Sequence, residues 1–299
     1  MHVVLGASGN IGHVVAKNLL ARGQKVRVVG RNAAHLQPLT AHGAEVFIGD
    51  VRDASALAKA FHQADSAFVM IPPDHSTKDP NDYQDRISDA ITTALENAGV
   101  KNVVLLSSVG ADKPSGTGPV VGLHRFEQKL NQLSGANVLH LRAAYFMENT
   151  LGQAKAIPQA GSLIGPARPD LKFPMIATHD IGTAIAEALL KPSFRGKQTR
   201  ELQGQRDLTY TEVAAIIGKA IGKPDLKYVR VPDDQFRGAL IQMGMSEPLA
   251  AQMLEMAAAL NTGHMRPLES RTPTNTTPTT FESFVAEAFV PAYQHQTAA

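Results

Sequence analysis

The sequence predicts an α/β fold, a doubly wound parallel sheet with a smaller C-terminal α+β lobe. Three observations carry that expectation. Short continuous Val/Ile/Leu runs alternate with helix-period segments up to about residue 150, and a glycine turn joins the first such run to the first helix. Beyond that point the rhythm breaks, with Pro158, Gly161, Gly165, Pro166, Pro169 and Pro174 in one stretch.

Strands are expected at 2–5, 25–29, 44–48, 66–71, 103–107 and 137–141. Continuous apolar runs are what parallel strands show when helices cover both sheet faces. Ile11, Val14, Val15 and Leu19 recur at helical spacing after the first strand, and Gly23 stops that helix. Tyr83, Ile87, Ala90, Ile91 and Ala94 mark a second amphipathic helix ending near Gly99, and Leu123, Phe126, Leu130 and Leu133 mark a third. The first domain spans 1–150, with a returning segment near 173–190. Residues 151–299 form the smaller lobe, with helices at 181–190, 210–221 and 246–260, short strands at 201–203 and 227–231, a polar loop at 272–280 and a last helix at 281–289.

Bulk properties exclude several classes. A formal charge of +2 gives no electrostatic ground for nucleic-acid or membrane binding. With no cysteine, the chain has no disulfide, thiolate nucleophile or Cys-ligated zinc. No apolar run reaches the ~18 residues of a membrane span, and residues 1–5 lead straight into the glycine turn without a signal-peptide pattern, so a cytoplasmic protein is expected. Neither HExxH nor GxSxG occurs, so no metal site and no α/β-hydrolase elbow is expected.

The turn reads Gly6-Ala7-Ser8-Gly9-Asn10-Ile11-Gly12, a GxxGxxG spacing between strand and helix. One glycine turns the chain, one lets backbone approach a pyrophosphate, and one packs helix on strand. Helix N–H groups then face the phosphates. This context predicts a Rossmann-type dinucleotide site. At the end of the second strand, where an NAD site carries Asp or Glu, stand Gly30 and Arg31. A guanidinium pairs with a 2′-phosphate and a carboxylate repels it, so NADP(H) is the expected cofactor. After the third strand, Asp50 is placed to accept from the adenine amino group with Val51 against the ring; the alternative is a cap for the helix near Asp53. Ile71 and Pro72, ending the fourth strand, are expected to wall the adenosine or ribose.

The loop GASGNIG, Arg31, the GDVRD segment at 49–53 and LLSSVG at 105–110 together resemble the NmrA-like NAD(P)-binding family of atypical short-chain dehydrogenase/reductases. LRAAYFMEN at 141–149 is similar to that family's LRPxxFMEN segment, with Ala143 where proline is expected. Residues 174–182 are similar to the stretch where the family's chain returns to the Rossmann domain. The resemblance covers essentially the whole chain. It implies either an NADPH-dependent reductase of quinones, enones or related carbonyls, or a non-catalytic redox sensor that signals to a protein partner.

Short-chain dehydrogenases of the usual type carry YxxxK on one helix, where the ammonium lowers the phenol pKa. Here the corresponding helix offers His124 and, four residues on, Gln128; Lys129 lies a further ~100° round the helix. His124 is a candidate proton donor in the tyrosine's place, or a helix histidine bonded to Gln128 or Glu127. Ser108 matches the triad serine's neighbourhood and, with Ser107, lines the nicotinamide side or satisfies a turn. Tyr145 is a second candidate donor, or a ring that packs on cofactor or substrate. Met243, Met245, Met253 and Met256 fill core, or form a plastic wall for an apolar small-molecule substrate. A nucleotide-sugar epimerase or dehydratase is disfavoured, because those reactions depend on the missing Tyr/Lys pair.

Overall fold

The computed structural model describes residues 1–297. The strands are β1 (His2–Val4), β2 (Val26–Gly30), β3 (Glu45–Ile48), β4 (Ser66–Val69), β5 (Asn102–Ser108), β6 (Asn137–Ala143), β7 (Tyr145–Phe146), β8 (Leu163–Gly165), β9 (Phe173–Ile176), β10 (Lys197–Leu202), β11 (Asp207–Leu208) and β12 (Tyr228–Arg230). The helices are α1 (Asn10–Ala21), α2 (Gln37–Thr40), α3 (Ala54–Phe61), α4 (Pro80–Ala98), α5 (Val120–Asn131), α6 (Gly152–Ala160), α7 (Thr178–Leu190), α8 (Tyr210–Ala220), α9 (Asp233–Gln242), α10 (Glu247–Thr262), α11 (Phe281–Phe284) and α12 (Val290–Thr297). None of these helices is long and apolar enough to cross a membrane.

Seven strands form one all-parallel sheet in the order β10-β6-β5-β4-β1-β2-β3. The chain reverses its direction of travel between β1 and β4, and such a switch point opens a crevice at the strands' carboxyl ends. Both sheet faces are buried. One packs Val4, Val28, Phe68 and Val104 against Ile11, Val15 and Leu19 of α1 and Ile181, Ile185 and Leu189 of α7. The other packs Val3, Leu5, Val69 and Leu105 against Ile87 and Ile91 of α4 and Phe126 and Leu130 of α5. α1 and α7 approach closely because position 182 is glycine, where a Cβ would stand 2.7 Å from that of Val14. A smaller lobe holds the sheets β11-β9-β7 and β12-β8, with its own core around Ile157, Phe173, Ile217, Phe284 and Phe289.

The six strands read from the sequence are the six from β1 to β6. The strand expected at 201–203 in the smaller lobe is instead the end of β10, which pairs with β6 and extends the main sheet. Two prolines expected to break the chain lie inside elements. Pro158 sits in the last turn of α6, and Pro174 in β9. The segment at 272–280 is more than a solvated loop. Asn275 and Thr277 are buried, the backbone bridges Gln203 to Thr276, and Thr279 donates through its N–H and hydroxyl to the buried Asp180 of α7 at 3.0 and 2.8 Å.

Candidate functional site

The glycine loop has the close packing that its spacing requires. Gly6 turns at φ +64°, a conformation natural to glycine. A Cβ on Gly12 would fall 2.3 Å from the Gly6 carbonyl oxygen, so only glycine lets α1 start this close to β1. Ser8, Gly9 and Asn10 are exposed, and Gly9 opens α1 without any side-chain cap. Uncapped N–H groups at a helix start are free to bind an anion, assisted by the helix dipole.

Arg31 follows β2 as an exposed side chain, while Asn32 caps the next turn by accepting from Ala34 N–H at 2.9 Å. Asp50 accepts a forked pair from Arg52, Nε at 3.0 and Nη2 at 2.6 Å, and the Arg52 N–H at 2.9 Å. That contact is the main reason its carboxyl lies below the usual range. The helix-cap alternative for Asp50 is replaced by Asp53, which accepts from Ser55 and Ala56 N–H at the start of α3. Val51 is half-buried against the core beside it.

Along the carboxyl edge runs a cleft of about 490 Å³, a size suited to a small ligand. Its sheet side is built from 70–75 after β4, 106–109 of β5 and the turn after it, and 143–146 across the end of β6 and β7. Its outer wall is Leu249, Met253, Met256 and Leu260 of α10 with Gly263, Met265, Arg266 and Pro267. The cleft thus brings together Ile71, Pro72, Ser107, Ser108 and Tyr145. Met70 links it to the glycine loop, its sulfur 2.9 Å from where a Cβ on Gly6 would be. Tyr83 steadies the β4 loop by donating to the Pro72 carbonyl at 3.0 Å. Met253 and Met256 take the wall position, whereas Met243 is 75% exposed on the surface. No group of His, Asp or Glu among the described residues is placed to hold a metal ion.

His124 is outside the cleft lining, and its Nδ1 bonds the Ala111 carbonyl at 2.9 Å. Gln128 is exposed. Lys129 turns to α4, where its ammonium meets Asp89 at 2.6 Å and Ser88 at 2.9 Å. What α5 offers the sheet instead is a buried carboxylate. Glu127, 2% exposed, accepts from Arg142 Nε and Nη2 at 2.9 and 2.6 Å and from the Ser107 hydroxyl at 2.6 Å. Ser107 therefore lines the cleft with its hydroxyl already committed, and the Ser108 hydroxyl donates to the Val109 carbonyl at 2.9 Å.

Tyr145 comes from β7 and packs edge-on to Phe173 and Tyr210, which in turn stacks on Tyr228 at 4.6 Å. Burial pushes the Tyr145 phenol above its usual pKa, while hydrogen bonding from Tyr210 and Asn149 pulls the other way. It is therefore a protonated hydroxyl on the wall of a mostly apolar cleft.

The model of the NmrA-like family matches residues 2–285. The chain belongs to the NmrA-like family. An NAD(P)H azoreductase of Xenophilus azovorans is 32% identical over 262 residues, which are 86% of each chain. Two solved structures share the fold of this NmrA-like protein. A Citrobacter sp. triphenylmethane reductase complexed with NADP(H) superposes with a TM-score of 0.78 at 20% identity, covering 99% of this chain and 100% of that one. An NADPH-dependent quinone oxidoreductase of Escherichia coli complexed with NADPH gives 0.75 at 24% identity, covering 97% and 100%.

Proposed function

We propose that this NmrA-like protein is an NADPH-dependent oxidoreductase acting on a small apolar quinone, enone or related carbonyl compound. The observation that carries the reading is the junction, through Met70, of an uncapped glycine loop with an apolar cleft at the sheet's carboxyl edge. The loop fits the cofactor, since beyond Gly9 a Cβ would meet nothing nearer than a carbonyl oxygen at 3.4 Å. Residues 6–12 hold the pyrophosphate, Arg31 the 2′-phosphate, and Ile71 and Pro72 flank the adenosine side. The likeness to an NAD(P)H azoreductase supports this reading.

NADPH bound there supplies a hydride, and the reduced acceptor needs one further proton on oxygen. Tyr145 is the residue placed to hold that proton in the cleft, with replacement from solvent. His124, turned to the Ala111 carbonyl, is not so placed. Ser108 shapes the floor beside it. The apolar walls of α10 exclude water and orient a flat acceptor.

The second reading is a non-catalytic NADP(H) sensor acting through a protein partner, favoured by the absence of a Tyr/Lys pair on α5. Steady-state NADPH oxidation with a panel of quinones and enones separates the two. Turnover well above background is expected; tight NADPH binding without turnover by any acceptor overturns the enzyme reading.

A further inference from the structure

Nearly every arginine of this chain has a partner. Among the described residues only Arg31, Arg200 and Arg266 have a guanidinium with neither a hydrogen bond nor an ion pair, and of these Arg266 alone lines the cleft. The backbone on both sides of it is pinned. Gly263 ends α10 in a left-handed turn, Met265 N–H bonds the Ala259 carbonyl at 3.0 Å, and the Met265 side chain is buried against Gly110. On the other side Leu268 and Glu269 N–H, each at 2.9 Å, are held by the buried carboxylate of Glu201.

The other charges on the cleft wall do not neutralise this guanidinium. Asp207 is ion-paired with Arg271. Asp74 is tied to Ser76 in its own turn, and the arginine whose field reaches it is Arg31, at the glycine-loop end. Lys172 adds a second positive charge, part of its field reaching Glu212. Arg266 is exposed, so its unpaired guanidinium stands at the rim of the cleft beside the apolar wall, where it suits an anionic group attached to an apolar body.

Resting on the oxidoreductase reading for the identity of the site, we propose that the preferred acceptor is an aromatic molecule bearing a carboxylate or sulfonate, which Arg266 binds. Hydride and proton still go to the acceptor's reducible group, and the acidic group is unchanged by the reaction.

The test is calorimetric binding of naphthalene-2-sulfonate and its neutral counterpart 2-naphthol, neither of them reducible here, to the full chain with and without NADP⁺. The sulfonate is expected to bind about tenfold tighter or better, with an affinity that falls as salt rises. Arg266→Gln should bring the ratio of the two affinities close to one, and Arg266→Lys should restore part of it. Equal affinities in the parent protein, or an unchanged ratio in Arg266→Gln, overturn the proposal. If the guanidinium serves the cofactor instead, Arg266→Gln will weaken NADP⁺ and leave the ratio unchanged, which also overturns it. Because binding is read without turnover, a failed quinone assay does not decide this result.

Discussion

Replacing Glu127 by Ala tests what α5 contributes in place of a catalytic pair. The carboxylate is 2% exposed and the Arg142 side chain 11%, so the variant strands a guanidinium in the interior beneath the cleft. Breaking a buried pair by removing one partner costs about 3–5 kcal/mol. For a chain of this size that corresponds to a melting temperature lower by about 5–8 °C. The Ser107 hydroxyl loses its acceptor as well, which adds to the loss. Replacing both partners, as Glu127→Leu/Arg142→Met, removes the stranded charge, so the double variant should be clearly more stable than the single one. Thermal melts and urea titrations followed by circular dichroism measure both differences. A single variant within about 1 kcal/mol of the parent, or a double variant no better than the single, would refute the assignment of this ion pair as the anchor between α5 and the sheet.

Three further outcomes are expected. Gly12→Ala puts a Cβ 2.3 Å from a carbonyl oxygen and 2.9 Å from the Ala7 nitrogen, backbone atoms that cannot swing aside. It should destabilise by about 1–3 kcal/mol and weaken NADPH, and a calorimetric titration matching the parent contradicts the packing argument. Arg31→Ala should weaken NADPH by about 10–100-fold while leaving NADH nearly unaffected; equal effects on both cofactors remove the 2′-phosphate role. His140 is buried with Nε2 on Asn131 at 2.8 Å, and desolvation lowers its pKa. The unfolded chain therefore takes up this proton first, so the stability from a neutral His140 is complete above about pH 6.5 and declines on acidification below it. His2, lowered by burial too, adds to the same window. In His140→Gln the pH slope of unfolding free energy between pH 7 and 5 should be shallower, and an unchanged slope shows that His140 does not titrate there.

The main sheet was legible because covered parallel strands read as short apolar runs, and each of β1 to β6 carries one. β10 does not. Its sequence KQTREL is polar, four of its six residues are not buried, and only Glu201 and Leu202 are. The glycine loop was legible because its residues are contiguous and their spacing is fixed by local geometry. The cleft's outer wall was not, because it comes from 249–267, which meets the sheet edge only after the chain has folded. In the sequence Glu127 stands out only as a possible partner of His124. The one available signal was on its partner strand, where His140 and Arg142 share a face of a β6 that is otherwise apolar after Asn137. A charge at such a position in a covered strand calls for a counter-charge from the helix above it.

The polar character that hid β10 also protects the molecule. An edge strand offers unpaired N–H and C=O groups to any other strand, and a flat apolar edge invites chains to join and aggregate. Here Lys197 ties its ammonium to the Leu133 and Ala136 carbonyls, Arg200 keeps a free positive charge along the strand, and the backbone at 275–277 bridges Gln203 just past its end. The β10 edge of the seven-stranded sheet is thereby guarded against pairing with a strand of a neighbouring chain.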